Sequence, residues 1–82
     1  MISIQSPQQL GNALCSARKY LKLTQPELAL AAGVGVRFIV DLEAGKPTLR
    51  LETVLRVIEA LGGKITLEGL PAVTPGGSGY GK

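Results

Sequence analysis

The side chains best suited to recognition chemistry lie between residues 25 and 50. Gln25, Arg37, Lys46 and Arg50 are amide donors or cations, and Val36 and Phe38 flank the arginine. Such groups, with no nucleophile beside a base, suit contact with an anionic partner rather than the making of bonds. The chain has no histidine and one cysteine, Cys15, and its six carboxylates are scattered. Neither a nucleophile–base constellation nor a Cys/His metal cluster can be assembled from that set, so no catalytic residue, metal ligand or cofactor is expected. The formal charge of +3 suits an anionic partner without demonstrating one. A second basic cluster, Arg18, Lys19 and Lys22, falls where a first helix ends, and complementing the negative helix terminus is sufficient reason for it.

The elements that must position Arg37 are written in Thr24 to Glu43, TQPELALAAGVGVRFIVDLE. Thr24 caps a helix over Gln25 to Ala32, with Glu27 placed to complete a T-x-x-E capping box. Gly33 can take the positive φ that ends a helix sharply, and Gly35 stands where a capping Ser or Thr is usual. Ile39 and Leu42 give the next helix, Val36 to Glu43, an inner face. Val36, Arg37 and Phe38 then point outward, with Val40 and Asp41 beside them. This is a helix-turn-helix pattern, whose second helix can lie in a DNA major groove. Arg37 is placed for a bidentate contact to guanine O6 and N7 or for a contact to phosphate. Val36 and Phe38 could meet thymine methyl groups or a bent step, or Phe38 could pack against a partner. Gln25, at a helix amino terminus, suits a phosphate, as do Lys46 and Arg50 beyond the second helix. Glu43 reads as a structural acceptor of backbone amides.

Around this motif the chain reads as one small, mainly helical domain over residues 1–70, followed by a Gly/Pro-rich tail over 71–82 that carries Tyr80. Ser6-Pro7-Gln8-Gln9 starts a first helix, Pro7 to about Lys22, with Leu10, Ala13, Leu14, Ala17 and Leu21 at helical spacing. Pro47 separates the motif from a helix over Leu51 to Leu61. Its apolar set is Leu51, Val54, Leu55, Ile58 and Leu61, and Glu52 and Arg56 form an i,i+4 pair. Lys64-Ile65-Thr66-Leu67-Glu68 alternates with a strand period. A single strand needs a partner, either the weak Ile2–Ile4 segment or the same strand of a second copy, and the latter points to a homodimer held by Ile65, Thr66 and Leu67. The amino terminus has no signal-peptide pattern and no segment has membrane-spanning length, so a cytoplasmic chain without a membrane partner is expected. The lone cysteine fits a reducing compartment.

The segments TQPELA, GVGVRFIVDLEAGK and LETVLRVIEALGG together resemble the lambda repressor/Cro-like, or Xre-type, helix-turn-helix family. The opening strand segment with Ser6 to Leu10, and the Gly62-Gly63-Lys64-Ile65-Thr66-Leu67 end of the bundle, are similar to HipB-type antitoxins over about residues 1–70. The resemblance implies an all-α bundle of four to five helices with a C-terminal β-strand pairing across a homodimer. It implies binding to palindromic double-stranded operator DNA in the chain's own promoter, and a HipA-like serine/threonine kinase toxin as the partner that is sequestered. Carried over by position, the DNA contacts fall on Gln25, Gly35, Val36, Arg37 and Phe38; the chain departs from the family's usual polar residues at Gly35, Val36 and Phe38. The tail corresponds to the segment that such antitoxins expose to proteolysis and sometimes to the toxin.

Two other readings stand beside a repressor that neutralises a toxin. One is an Xre-type regulator with no toxin partner. The other is an interaction module that has lost DNA binding, which the apolar run of Val36, Phe38 and Val40 would suit.

Overall fold

The computed structural model describes residues 2–71. Four helices follow one another: α1 (Pro7–Tyr20), α2 (Gln25–Ala32), α3 (Val36–Glu43) and α4 (Leu51–Ala60). Their starts follow the signals in the sequence. Ser6 Oγ accepts from Gln9 N–H at 3.1 Å, with Pro7 at the first helical position, and the Gln9 amide oxygen reaches back to Gln5 N–H, one residue before the cap. At α2 the capping box closes on both arms: Thr24 Oγ1 accepts from Glu27 N–H at 3.1 Å, and Glu27 Oε1 accepts from Thr24 N–H at 2.8 Å. Gly33 ends α2 in the left-handed region at φ 70°, where an L side chain would be strained.

The core is aliphatic. Leu14 of α1, Leu28, Ala29 and Ala32 of α2, Ile39 and Leu42 of α3, and Val54, Val57 and Ile58 of α4 are buried together. α3 packs against α1 and α2, and α4 packs against α2. At Gly11, α1 passes close against the end of α3. A Cβ there would collide with the Leu42 carbonyl and lie 2.9 Å from the Glu43 carbonyl oxygen.

Several expectations change. α1 stops at Tyr20 rather than Lys22, because Lys22 turns into the left-handed region at φ 61° while Leu23 N–H returns to the Arg18 carbonyl at 3.1 Å. Leu51 and Leu55 are exposed rather than core, and Val57 takes the buried place. The helix turns its 54–57–58 stripe to α2, which leaves residues 51 and 55 on the open side. Arg56 does not pair with Glu52; it donates to the Gly33 carbonyl at 3.3 Å, while Glu52 lies 3.9 Å from Arg50. The strand expected over Lys64 to Glu68 is absent, as is any strand at Ile2–Ile4, among the described residues. A ladder needs a second strand to satisfy its amide and carbonyl groups, and one copy of the chain brings none alongside. The tail expectation, Tyr80 included, lies outside the described residues except for Pro71.

Candidate nucleic-acid interface

The surface of α3 is set by its inner face. Ile39 and Leu42 are buried, so a helix with 3.6 residues per turn must turn Val36, Arg37 and Val40 to the open side. Arg37 is the most exposed of the three, its side chain 84% accessible. Phe38 is half-buried and packs against the core, which makes it a support for the helix more than an outward reader. Gly35 caps α3 in an extended conformation without a side-chain hydrogen bond, and the space around its Cα is open. The first amides of α3 therefore face outward with no capping oxygen, together with the positive end of the helix dipole.

Arg37 does not stand alone. Its Nε lies 3.2 Å from Asp41 Oδ1, one turn on, and Lys46 Nζ lies 3.8 Å from Asp41 Oδ2. Lys46 N–H also donates to the Asp41 carbonyl at 3.0 Å, which fixes the chain as it leaves α3. The structure thus gathers Arg37 and Lys46 around one carboxylate. Arg50, whose ion pair is with Glu52 at the start of α4, is not part of that cluster. Gly35 and Val36 lie at the opening of the same helix.

Gln25 is held from behind. Its Nε2 donates to Glu43 Oε1 at 3.1 Å, joining the start of α2 to the end of α3. Glu43 itself does not accept backbone amides as expected. It pairs with Arg18, with Nε to Oε2 at 2.6 Å and Nη2 to Oε1 at 3.0 Å. Arg18 is 8% exposed; it also donates to the Leu23 carbonyl at 2.7 Å and lies near Cys15 Sγ. Arg18 was expected with Lys19 and Lys22 on the helix terminus. It turns inward instead, because its guanidinium fills the corner where α1, the α1–α2 turn and α3 meet. Burial pushes the Glu43 carboxyl up, but the hydrogen bonds from Arg18 and Gln25, with Cys15 and the Arg18 charge behind them, hold it below the usual carboxylate range. The Arg18 guanidinium is raised by its bond to Glu43.

Two contacts of the candidate site escaped the sequence. Asp41 links two cations of the candidate interface, and its i,i+4 spacing from Arg37 was the available signal. Glu43 orients Gln25 across 18 residues, for which no local pattern exists.

With this geometry in place, similarity to known proteins decides the lineage. Residues 16–67 match the helix-turn-helix family HTH_3, a span from the second half of α1 through α2, the turn, α3 and α4. The chain belongs to the HTH_3 family. An uncharacterized HTH-type transcriptional regulator, y4mF, from Sinorhizobium fredii is 50% identical over 64 residues, 78% of this chain and 84% of that protein. Among solved structures, a chain of the HipA-HipB-O2-O3 complex superposes with a TM-score of 0.79 at 30% identity, covering 87% of this chain and 100% of that one. The HipB-O4 20mer complex gives the same values. ClgR, the clp gene regulator from C. glutamicum, superposes less closely, with a TM-score of 0.66 at 31% identity over 78% of this chain and 82% of that one. As an HTH_3 protein of Xre type, the chain is a DNA-binding transcriptional regulator with a HipB-like fold.

Proposed function

We propose that this HTH_3 regulator is a homodimeric repressor that binds a palindromic operator in its own promoter and serves as the antitoxin of a HipA-like serine/threonine kinase toxin in the cytoplasm. The observation that carries the reading is the likeness to HipB, which extends over the whole of the HipB chain in complexes with operator DNA and with HipA. DNA recognition falls on α3 and its flanks. Arg37 reads a base edge from the open side of α3; Gln25, Lys46 and Arg50 contact phosphates; and Gly35, Val36 and the edge of Phe38 set how closely the helix approaches the groove.

Apolar surface left open among the described residues supports the dimer. Leu51 is 67% exposed and Leu67 76%, with Leu55, Ile65 and Leu70 also open to solvent. Pairing the Ile65-Thr66-Leu67 segments of two copies would satisfy their backbone groups and cover apolar side chains of that segment. The second reading is a transcriptional regulator with no toxin partner. It is supported by the relative from Sinorhizobium fredii, which at 50% identity is an HTH-type transcriptional regulator.

Co-purification from the native operon, followed by footprinting on the upstream DNA, separates the two. A kinase-fold protein in the complex and a protected palindrome upstream support the antitoxin. Protection without any co-purifying protein, and no kinase-like reading frame beside the gene, leaves the regulator alone. No protection of any duplex overturns both.

A further inference from the structure

The geometry points to Asp41 as a positioning residue that fixes the Arg37 guanidinium for base reading and so sets sequence discrimination. The inference rests on the base-reading role of Arg37 proposed above. Three observations carry it. First, Asp41 Oδ1 lies 3.2 Å from Arg37 Nε, the inner nitrogen of the guanidinium. Engaging Nε leaves both terminal nitrogens as the outward fork that a guanine O6/N7 edge requires.

Second, the pair is poorly built as a helix stabiliser. Arg37 is the second residue of α3, at the positive end of the dipole, and the acid stands C-terminal to the base, the weaker orientation of an i,i+4 pair. With Arg37 so exposed, the pair adds little to folding. Third, the Asp41 side chain, 20% accessible beside the exposed guanidinium, also draws Lys46, whose Nζ lies 3.8 Å from Oδ2, and a carboxylate so placed lowers affinity for any polyanionic duplex. A carboxylate that is weak as a stabiliser and unfavourable for affinity has its use in specificity. It holds Arg37 in one rotamer and penalises DNA that does not accept the fork.

The test is selection of the full-length protein against a randomised 20-base-pair duplex pool. Anisotropy titrations then use the selected duplex and the same duplex with its preferred guanine replaced, at two salt concentrations. The wild-type chain should select a guanine in each half-site. Asp41→Ala should keep a folded dimer, lose discrimination at that guanine by about fivefold or more, and bind the replaced duplex as tightly as wild type or more tightly. Asp41→Asn, which keeps the shape, should behave like Asp41→Ala, and Asp41→Glu should recover part of the preference. In an Arg37→Ala background, Asp41→Ala should change discrimination no further.

The positioning role is overturned if Asp41→Ala and Asp41→Asn both retain the wild-type guanine preference. It is also overturned if the loss is as large in the Arg37→Ala background. A wild-type chain that selects no sequence overturns the base-reading proposal itself, and this inference with it.

Discussion

At the scale of single residues, two arginines of the same type have opposite work. Arg37 projects into solvent from α3, while Arg18 is buried against Glu43 in a bidentate ion pair. Arg37→Ala should leave the dimer and the fold intact and weaken operator binding by about 1–3 kcal/mol, concentrated on one base position. A salt-controlled titration showing unchanged affinity would remove Arg37 from recognition. Glu43→Ala should act on stability instead. It leaves a charged guanidinium buried without its partner, at a cost of about 3–5 kcal/mol, a large share of a small domain's stability, and it frees Gln25.

Thermal or urea unfolding of that variant measures the cost. The same carboxylate makes the wild type acid-sensitive. Its folded pKa is held below the ordinary 4.5, so its stabilisation is complete above that value and is lost as pH falls through the lower folded one. Unfolding midpoints taken below about pH 4.5 should therefore decline, and the Glu43→Ala variant should lack that component of the decline.

At the scale of elements, the placing of the proposed interface depends on how closely α1 can seat α3. Gly11 permits that approach, since any Cβ would meet Leu42 and Glu43 backbone atoms that cannot move aside as side chains do. Gly11→Ala should cost about 1–3 kcal/mol through this overlap, despite the ~1 kcal/mol that alanine ordinarily contributes over glycine inside a helix. A denaturation curve shifted upward would show that α1 and α3 have room to spare. The start and end signals of α2 and α3 were legible in the sequence because they are local. A Thr-to-Glu capping box and a glycine in the left-handed region act within one turn, whatever surrounds them. The face of α4 was not so legible. Leu51, Leu55 and Val57 are equally apolar in sequence, and only the position of α2 decides that Val57 is buried while the two leucines are open.

At the scale of the whole molecule, the four helices share one core, and apolar surface stays open among the described residues. Leu51, Leu55, Ile65, Leu67 and Leu70 remain uncovered in one copy. Replacing Ile65 and Leu67 together with lysine should convert a dimer to a monomer in sedimentation while leaving the monomer folded, because neither side chain contributes to the core. Operator affinity should fall by roughly 100-fold or more as the second half-site contact is lost. A double variant that sediments as the wild type does would place the two-fold contact elsewhere. The helix-turn-helix, its limits and the exposure of Arg37 were determined by the sequence alone, since caps, a glycine turn and a 3.6-residue period are properties of neighbouring residues. The burial of Arg18, its capture of Glu43, the tie from Gln25 to the end of α3 and the meeting of Arg37 and Lys46 on Asp41 were decided only by the tertiary structure. Apart from the Arg37–Asp41 contact within one helix turn, those bonds join different turns or elements, and their partners are chosen by how the helices pack rather than by spacing along the chain.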